Sequence, residues 1–231
     1  MAAIVAVLIL VGAFWAYQQM RRERLGTLLL VTPATEVTQD PALVRFAAEQ
    51  ARPLFAKHCA GCHGADMKGN RSLGTPNLVD SVWLYGDGSV FDIERTILFG
   101  IRSGHAKSHD ISDMTAFGQR GMLSDGEIRN AVQFVLQLSR QPHIAEAAAE
   151  GAKLFNGKGR CFDCHANDAR GNSDYGAPDL TANVWSYGGD AQSLYRSLYF
   201  GRHGMCPAWL GPLDLVQIRA LAVYIHSVSH S

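Results

Sequence analysis

The sequence predicts an all-α protein in which two tandem repeats follow an N-terminal transmembrane helix. Three observations support this prediction. The chain begins with an apolar run, one pattern of residues occurs twice, and no stretch alternates apolar and polar residues as a half-buried strand does. The chain has 231 residues, which suggests one or two domains.

Composition excludes one broad class of function. Lys and Arg together number 21 and are balanced by 21 Asp and Glu, so the formal net charge is zero. A nucleic-acid-binding protein would need a basic stripe. We therefore expect no nucleic acid among the partners.

Residues 1–20 are predicted to be a transmembrane anchor. From Ala2 to Tyr17 the chain carries no charge, and the whole run approaches the roughly 20 residues that cross a bilayer. Trp15 and Tyr17 lie at one end, where interfacial aromatic residues belong. A cleaved signal peptide is the alternative, but it would need a basic start and a small-x-small cleavage site. We predict an uncleaved single-pass anchor in a lipid bilayer.

Residues 21–40 are predicted to be a linker, because the segment before Pro41 is rich in threonine and contains a further proline. The run from Leu25 to Val31 is too short to span a bilayer, and it either continues the anchor helix or rests on the membrane surface. Asp40 and Pro41 are typical of a helix start. The apolar spacing that follows predicts a helix from Ala42 to His58.

The motif C-x-x-C-H occurs twice and carries the chemistry. It comprises Cys59, Cys62 and His63 in the first copy and Cys161, Cys164 and His165 in the second. Two thiols at this spacing reach the two vinyl groups of one porphyrin, and the histidine after them ligates the iron. The sequence therefore predicts two covalently attached c-type haems.

Other uses of the paired cysteines fit less well. A zinc site made from both pairs would need them about 15–20 residues apart, whereas Cys62 and Cys161 are separated by 99 positions. A thioredoxin-like site would require a βαβ pattern, which the sequence lacks. The spacing alone does not exclude that these cysteines form structural disulfides.

Two features of the sequence disagree about the side of the membrane on which the haem domains lie. Haem is attached on the export side of bacterial membranes, so the motifs predict haem domains on the periplasmic side of the inner membrane. Arg21, Arg22 and Arg24 follow the span, and the positive-inside rule would place those domains in the cytoplasm. We give the haem motifs more weight, because a short basic cluster is only a statistical bias.

The two halves of the chain repeat each other. The segment from Thr75 to Gly86 recurs from Ala177 to Gly188, and the offset of 102 positions also separates His63 from His165. Each copy continues with a helical stretch, a methionine-bearing loop and a final amphipathic helix. The predicted stretches are 90–99 and 124–139 in the first copy and 191–200 and 213–228 in the second. We predict cytochrome c domains at 41–140 and 141–231.

A haem iron in an electron carrier usually has a second axial ligand, and methionine opposite histidine raises its potential. In the first domain we predict Met114, with Met122 as its competitor, because Met67 lies too near His63. In the second domain three candidates share one loop: His203, Met205 and Cys206. Arg102 and Arg202 are expected either to pair with haem propionates or to be solvated.

Several separate motifs occur in a fixed order from about residue 40 to the C-terminus. They are the C-x-x-C-H sites, the two P-(N/D)-L-x-x-x-x-W-x-Y-G segments, G-I-R followed by M-T-A-F-G, and G-R-H-G followed by P-A-W and L-A-V-Y-I-H-S. In this order they resemble the dihaem c subunit, of the CcoP or FixP type, of cbb3-type haem–copper oxidases.

The resemblance implies a membrane-tethered electron inlet that is not itself the catalyst. Its two haems would relay electrons from a soluble periplasmic donor to a monohaem partner subunit and then to the oxygen-reducing catalytic subunit of the terminal oxidase, in aerobic or microaerobic respiration. By position, His63 and His165 are the proximal ligands and Met114 is the methionine of the first domain. The second methionine of the family falls on Cys206, one place after Met205. We take Met205 as the ligand, with Cys206 as the alternative.

Two other functions are weighed against this one. A stand-alone membrane-bound dihaem shuttle would serve a dehydrogenase or another reductase and would be isolated without an oxidase. A dihaem peroxidase would need an iron whose sixth position is open or displaceable, and it would turn over peroxide.

Overall fold

The computed structural model describes residues 2–230, with side chains described from Ile4 onward. Within this range the chain forms α-helices, one 3-10 turn at Val37–Gln39, and isolated bridges but no strand, which confirms the all-α prediction. The helices are α1 Ala2–Val31, α2 Pro41–His58, α3 Ala60–His63, α4 Val90–Phe99, α5 Asp125–Leu138, α6 Ala145–Asn156, α7 Phe162–His165, α8 Ala191–Phe200 and α9 Leu215–Ser229.

Side-chain caps set the starts of the main helices. The carboxylate of Asp40 accepts hydrogen bonds from the backbone N–H groups of Ala42 and Leu43, at 2.8 and 3.3 Å, and so caps α2. The helices α5 and α9 both begin with a capping box, in which Ser124 or Asp214 pairs with the residue three positions on. These local signals explain why the predicted helix starts lie close to the observed ones.

Helix α1 extends beyond the predicted anchor. Its stretch Ile4–Val31 is long and apolar enough to cross a membrane, and none of its most apolar window is buried in the protein. The first part of the predicted linker 21–40 is helical, and Leu25 to Val31 continues the same helix. Leu29 is fully buried there, and a Cβ on Gly26 would lie 3.5 Å from Val216 of α9. The anchor helix therefore docks directly on the globular part of the protein.

The helices pack into two units, which we call unit one and unit two. Unit one contains the end of α1 together with α2, α4 and α9, and its buried core includes Leu29, Phe46, Phe55, Ile93, Ile218 and Leu221. Unit two contains α5, α6 and α8, and its buried core includes Ile128, Val132, Phe155, Leu180, Leu194 and Leu198. The final helix of each repeat thus packs with the other repeat.

Polar contacts join the exchanged helices to their units. Arg219 of α9 lies 3.2 Å from Glu94 of α4, with both side chains largely buried, and His226 Nδ1 is 2.9 Å from the carbonyl oxygen of Gly88. In unit two, the hydroxyl of Tyr195 on α8 donates to the carboxylate of Asp125 on α5. The border at 140/141 between the predicted domains 41–140 and 141–231 lies between α5 and α6, and both of these helices pack in unit two.

Candidate haem sites

Each C-x-x-C-H motif forms one helical turn directly after a long helix. The backbone N–H of His63 donates to the carbonyl of Cys59 at 3.0 Å, and that of His165 donates to the carbonyl of Cys161 at 2.9 Å. None of the five cysteines, all of which lie in the described part of the chain, is in a disulfide. The first cysteine pair lies in unit one and the second in unit two, so no single zinc site joins them.

The two proximal histidines are held in the same way. His63 Nδ1 lies 3.4 Å from the carbonyl oxygen of Pro76, and His165 Nδ1 lies 3.1 Å from that of Pro178. The carbonyl oxygen accepts the Nδ1 proton, which leaves the lone pair on Nε2 free to bind a metal. Burial lowers the pKa of both imidazoles, against the opposing effect of the proline carbonyls, and so favours the neutral ligand form.

Sequence reasoning missed the role of these prolines. Each lies 13 positions after its histidine, within the segment that repeats between the two halves. The repeat itself was the signal, because a position that recurs at a fixed distance from a ligand is a candidate partner of that ligand.

The first thiol of each motif, that of Cys59 or Cys161, is partly buried. Burial, with smaller contributions from Cys206 and Cys62, raises the pKa of Cys59 to about 11. Burial also raises the pKa of Cys161 to about 11. Two free thiols on one helical turn, with an imidazole whose Nε2 is free, form the donor set that a covalently attached haem requires, so the residues present fit this group at both sites.

The methionine-bearing loop of the first repeat lies in unit two. Met114 packs against the core that includes Phe155 and half-buried Cys161. Its N–H donates to the carbonyl of Arg202 at 3.0 Å, and the N–H of Arg202 donates back at 3.1 Å. Met114 therefore lies in unit two, which contains the second C-x-x-C-H motif, and not in unit one, which contains the first.

The corresponding loop of the second repeat lies in unit one. Cys206 and Ile101 exchange backbone hydrogen bonds, each 2.9 Å long. The Cys206 thiol is near enough to Cys59 and Cys62 for their charges to interact. Three residues later, the Trp209 ring packs edge-on against His58 with the ring centroids 4.9 Å apart. This loop therefore faces the first C-x-x-C-H motif.

The sequence predicts that the ligands pair within each repeat, whereas the structure places each loop in the unit that holds the C-x-x-C-H motif of the other repeat. The sequence analysis assigned Met114 to the first domain and the loop with Met205 and Cys206 to the second. The chain crosses over after α4 and again after α8, so each loop lies in the unit that contains the C-x-x-C-H motif of the other repeat.

The three candidates in the second loop are placed differently. Met205 has 68% of its side chain exposed, whereas Cys206 is half-buried. His203 lies 3.1 Å from the carboxylate of Asp113, and this pair is on the surface. Of the other methionines near the motifs, Met67 is buried in the core of unit one and Met122 is 46% exposed.

The two arginines that follow α4 and α8 make contacts where the chain passes from one unit to the other. Arg102 donates from Nε to the carbonyl of Gly204 at 2.6 Å and from Nη1 to that of Ser112 at 2.8 Å. Arg202 lies over the ring of Tyr187, 3.9 Å from its centroid, and donates to the hydroxyl of Ser197. Neither is simply solvated, and Arg102 ties the two exchanged loops together.

Comparisons with known proteins match this chain to one family along most of its length. The family described as cytochrome C oxidase, cbb3-type, subunit III matches residues 46–135 and 146–225. The chain is similar to the cbb3-type cytochrome c oxidase subunit FixP of Bradyrhizobium sp. (strain ORS 278), with 39% identity over 212 residues, or 91% of this chain and 71% of that protein. It is 40% identical over 212 residues to FixP of Bradyrhizobium diazoefficiens, with the same coverage of both chains. It is 38% identical over 200 residues to CcoP of Cereibacter sphaeroides, covering 87% of this chain and 67% of that one.

Proposed function

The chain belongs to the family of subunit III of cbb3-type cytochrome c oxidase, and from this premise we propose that it passes electrons from a soluble periplasmic donor into such an oxidase. The receiving partners are a monohaem cytochrome subunit and the oxygen-reducing catalytic subunit. Each bound haem supplies a one-electron iron couple at its site. The chain itself binds the haems, orients them and excludes water.

The exchange of loops between the two units is the observation that carries this proposal. Arg102 binds the loop of each repeat, at Gly204 and Ser112, and the isolated bridges at Cys206 and Met114 join the two repeats on both sides. The two C-x-x-C-H turns are thus held in one connected body and do not swing on a linker. A fixed relation between two haems suits a relay, whose rate depends on the distance between the centres.

His165 and Met114, which both lie in unit two, would hold the iron of a haem bound at the second C-x-x-C-H motif. Methionine opposite histidine raises the potential of a haem, which suits delivery of electrons toward an oxidase. His63 is the proximal ligand at the first motif. The covalent attachment residues are Cys59, Cys62, Cys161 and Cys164.

The docking of α1 supports a location close to the membrane. Leu29 is buried against unit one only a few residues after Arg24, so unit one rests next to the bilayer surface when residues before Arg21 span it. We place both units on the periplasmic side, since haem is attached there. Protease added to intact spheroplasts should then digest both haem units, and protection of these units would contradict the orientation.

Co-purification tests the proposed partners. Membranes of a strain that lacks its own copy of this subunit are supplied with the full chain, and the oxidase is then isolated. We expect the chain in the complex and oxidation of a reduced soluble cytochrome c restored. Met114→Leu should slow this oxidation while the complex still assembles, and Met122→Leu serves as the control because that side chain is exposed. A chain that is isolated alone, with the oxidase unaffected, would instead indicate the stand-alone shuttle.

A further inference from the structure

The two exchanged loops are related by the same pattern of backbone contacts. Ile101 directly follows the glycine after α4, and Arg202 directly follows the glycine after α8. Ile101 pairs with Cys206, and Arg202 pairs with Met114. Cys206 therefore takes the backbone position in unit one that Met114 takes in unit two.

The two glycines confirm this register at atomic detail. A Cβ on Gly100 would lie 2.4 Å from the carbonyl oxygen of Cys206 and 2.9 Å from the nitrogen of Ala208. A Cβ on Gly201 would lie 2.4 Å from the carbonyl oxygen of Met114 and 2.9 Å from the nitrogen of Ala116. The equivalence of Cys206 with Met114 is thus independent of any sequence alignment.

Met205 is then equivalent to Asp113, whose side chain points away from the haem site. The Asp113 carboxylate lies on the surface 3.1 Å from His203. Successive side chains of an extended segment point to opposite sides, and Met205 is likewise 68% exposed. Bringing Met205 inward would break both 2.9 Å hydrogen bonds between Cys206 and Ile101.

The loop that carries Cys206 packs against the residue before the first C-x-x-C-H motif, through the rings of Trp209 and His58. Among the residues that the structure describes, the hydrogen bond of the Cys206 thiol is a weak one, to the carbonyl oxygen of Pro207 at 3.7 Å. Cysteine thiolate is an established axial ligand of haem iron.

We propose that Cys206 is the sixth ligand of the haem attached at Cys59 and Cys62, opposite His63. This inference rests on the proposed function only in that it needs a haem at each motif. The sulfur binds the ferric iron as thiolate, and the thiol proton passes to solvent. The two centres of the chain are then unequal: a histidine–thiolate haem in unit one, next to the anchor, and a histidine–methionine haem in unit two. Thiolate donates electron density to iron and lowers its potential relative to methionine.

The axial ligands are read from the purified, haem-loaded full chain in its ferric state, by low-temperature magnetic resonance and near-infrared magnetic circular dichroism. Wild type should show one thiolate-ligated and one methionine-ligated low-spin haem in equal amounts. Cys206→Met should double the methionine charge-transfer band and raise one of the two midpoint potentials. Met205→Leu, the matched control, should leave spectra and potentials unchanged.

Several results would overturn the assignment. The assignment would be wrong if the wild-type protein contained two methionine-ligated haems. It would also be wrong if Met205→Leu lost half of the methionine charge-transfer band. A histidine or water ligand at the first site, or a matured chain in which Cys206 is held in a disulfide, would overturn it as well. The wild-type spectrum decides the question even if Cys206→Met fails to fold. These readouts need no oxidase, so failure of the proposed function would appear separately, as intact haem spectra without electron delivery.

Discussion

Met114 and Cys206 are fixed by backbone hydrogen bonds and not by their own side chains. Met114 exchanges two bonds with Arg202, and Cys206 exchanges two with Ile101. Close approach is possible because Gly201 and Gly100 have no Cβ and adopt positive φ angles of 71° and 74°. The positions of these two proposed ligands therefore depend on two glycines that are not themselves ligands.

Replacement of Gly201 tests this dependence. In Gly201→Ala the new Cβ would lie 2.4 Å from the carbonyl oxygen of Met114, so the loop must move outward. We expect the methionine charge-transfer band of the ferric protein to be lost or strongly reduced, together with a lower midpoint potential. Gly121→Ala is the control, since its φ is 64° but nothing lies within 4 Å of the added Cβ. It should cost about 1–2 kcal/mol of stability from backbone strain and leave the band intact. Equal bands in both variants would contradict the proposed role of the glycine.

The carboxylate of Glu127 should make the stability of the folded protein depend on pH. Its hydrogen bond from Lys158, and then that from the backbone of Ser124, lower its pKa from 4.5 to about 2. Because the folded-state pKa is depressed, this contribution is complete above about pH 4.5 and is lost as the pH falls toward 2. Wild type should exceed Glu127→Gln in thermal midpoint at pH 6, and the gap should close by pH 2. Glu146→Gln controls for the loss of one surface charge, and a gap that widens on acidification would refute the assignment.

At the residue scale, the sequence identified the attachment cysteines and proximal histidines because their chemistry fixes their spacing. It also singled out Met114 and the group of His203, Met205 and Cys206. It favoured Met205, with Cys206 as the alternative, but could not decide between them, because the choice depends on which way each side chain points. That direction follows from the bridge between Ile101 and Cys206, which is a contact between distant parts of the chain.

The crossing of α5 and α6 is the main helix contact of unit two. A Cβ on Gly151 of α6 would lie 2.1 Å from the carbonyl oxygen of Asn130 of α5, so the two backbones touch. The Phe134 and Phe155 rings pack edge to face beside this point, with centroids 5.5 Å apart. In unit one, Ala51 of α2 is fully buried in the core that α9 shares. Small residues thus let the long helices approach each other in both units.

Overpacking at this crossing should destabilise unit two. We expect Gly151→Ala to lower stability by about 1–3 kcal/mol, because the methyl group has no space. Gly126→Ala in α5 is the matched control, since nothing lies within 4 Å of its added Cβ. It should be neutral or stabilising by up to about 1 kcal/mol, through helix propensity. Urea unfolding of both variants, followed by circular dichroism, measures the difference, and similar midpoints would contradict the close contact of α5 and α6.

The helices themselves were largely predictable. The apolar period predicted α2, α5 and α9 to within a few residues, and Asp40 with Pro41 also indicated the start of α2. The packing of the end of α1 was harder to predict from the sequence. The stretch from Leu25 to Val31 is apolar enough either to lie on a membrane or to pack on a protein. Its burial against α9 required knowing where the C-terminal helix lies.

The whole molecule is organised by exchange between its two repeats. Unit one joins α2 and α4 to α9, and unit two joins α6 and α8 to α5. Because α9 also packs on the end of α1, the C-terminal helix connects the membrane anchor to the first haem site. Loss of either exchanged loop would therefore affect both units.

The duplication was visible in the sequence, but the exchange was not. Two copies of a pattern predict the same amphipathic helices whether each copy closes on itself or trades its second half. The connections after α4 and α8 decide between these two arrangements. In the first connection, Arg102 adopts a φ of 46° and binds both loops. Such tertiary contacts leave no periodic signal for a sequence to display.

The most direct test of the exchange uses variants that carry a single haem. Cys161→Ser with Cys164→Ser retains only the haem at His63, and Cys59→Ser with Cys62→Ser retains only the haem at His165. Met114→Leu is added to each, and the near-infrared magnetic circular dichroism of the ferric protein is recorded. We predict that Met114→Leu abolishes the methionine charge-transfer band when only the His165 haem is present and leaves the spectrum unchanged when only the His63 haem is present. The opposite result, a changed axial ligand at the His63 haem alone, would contradict the exchange of loops between the two repeats.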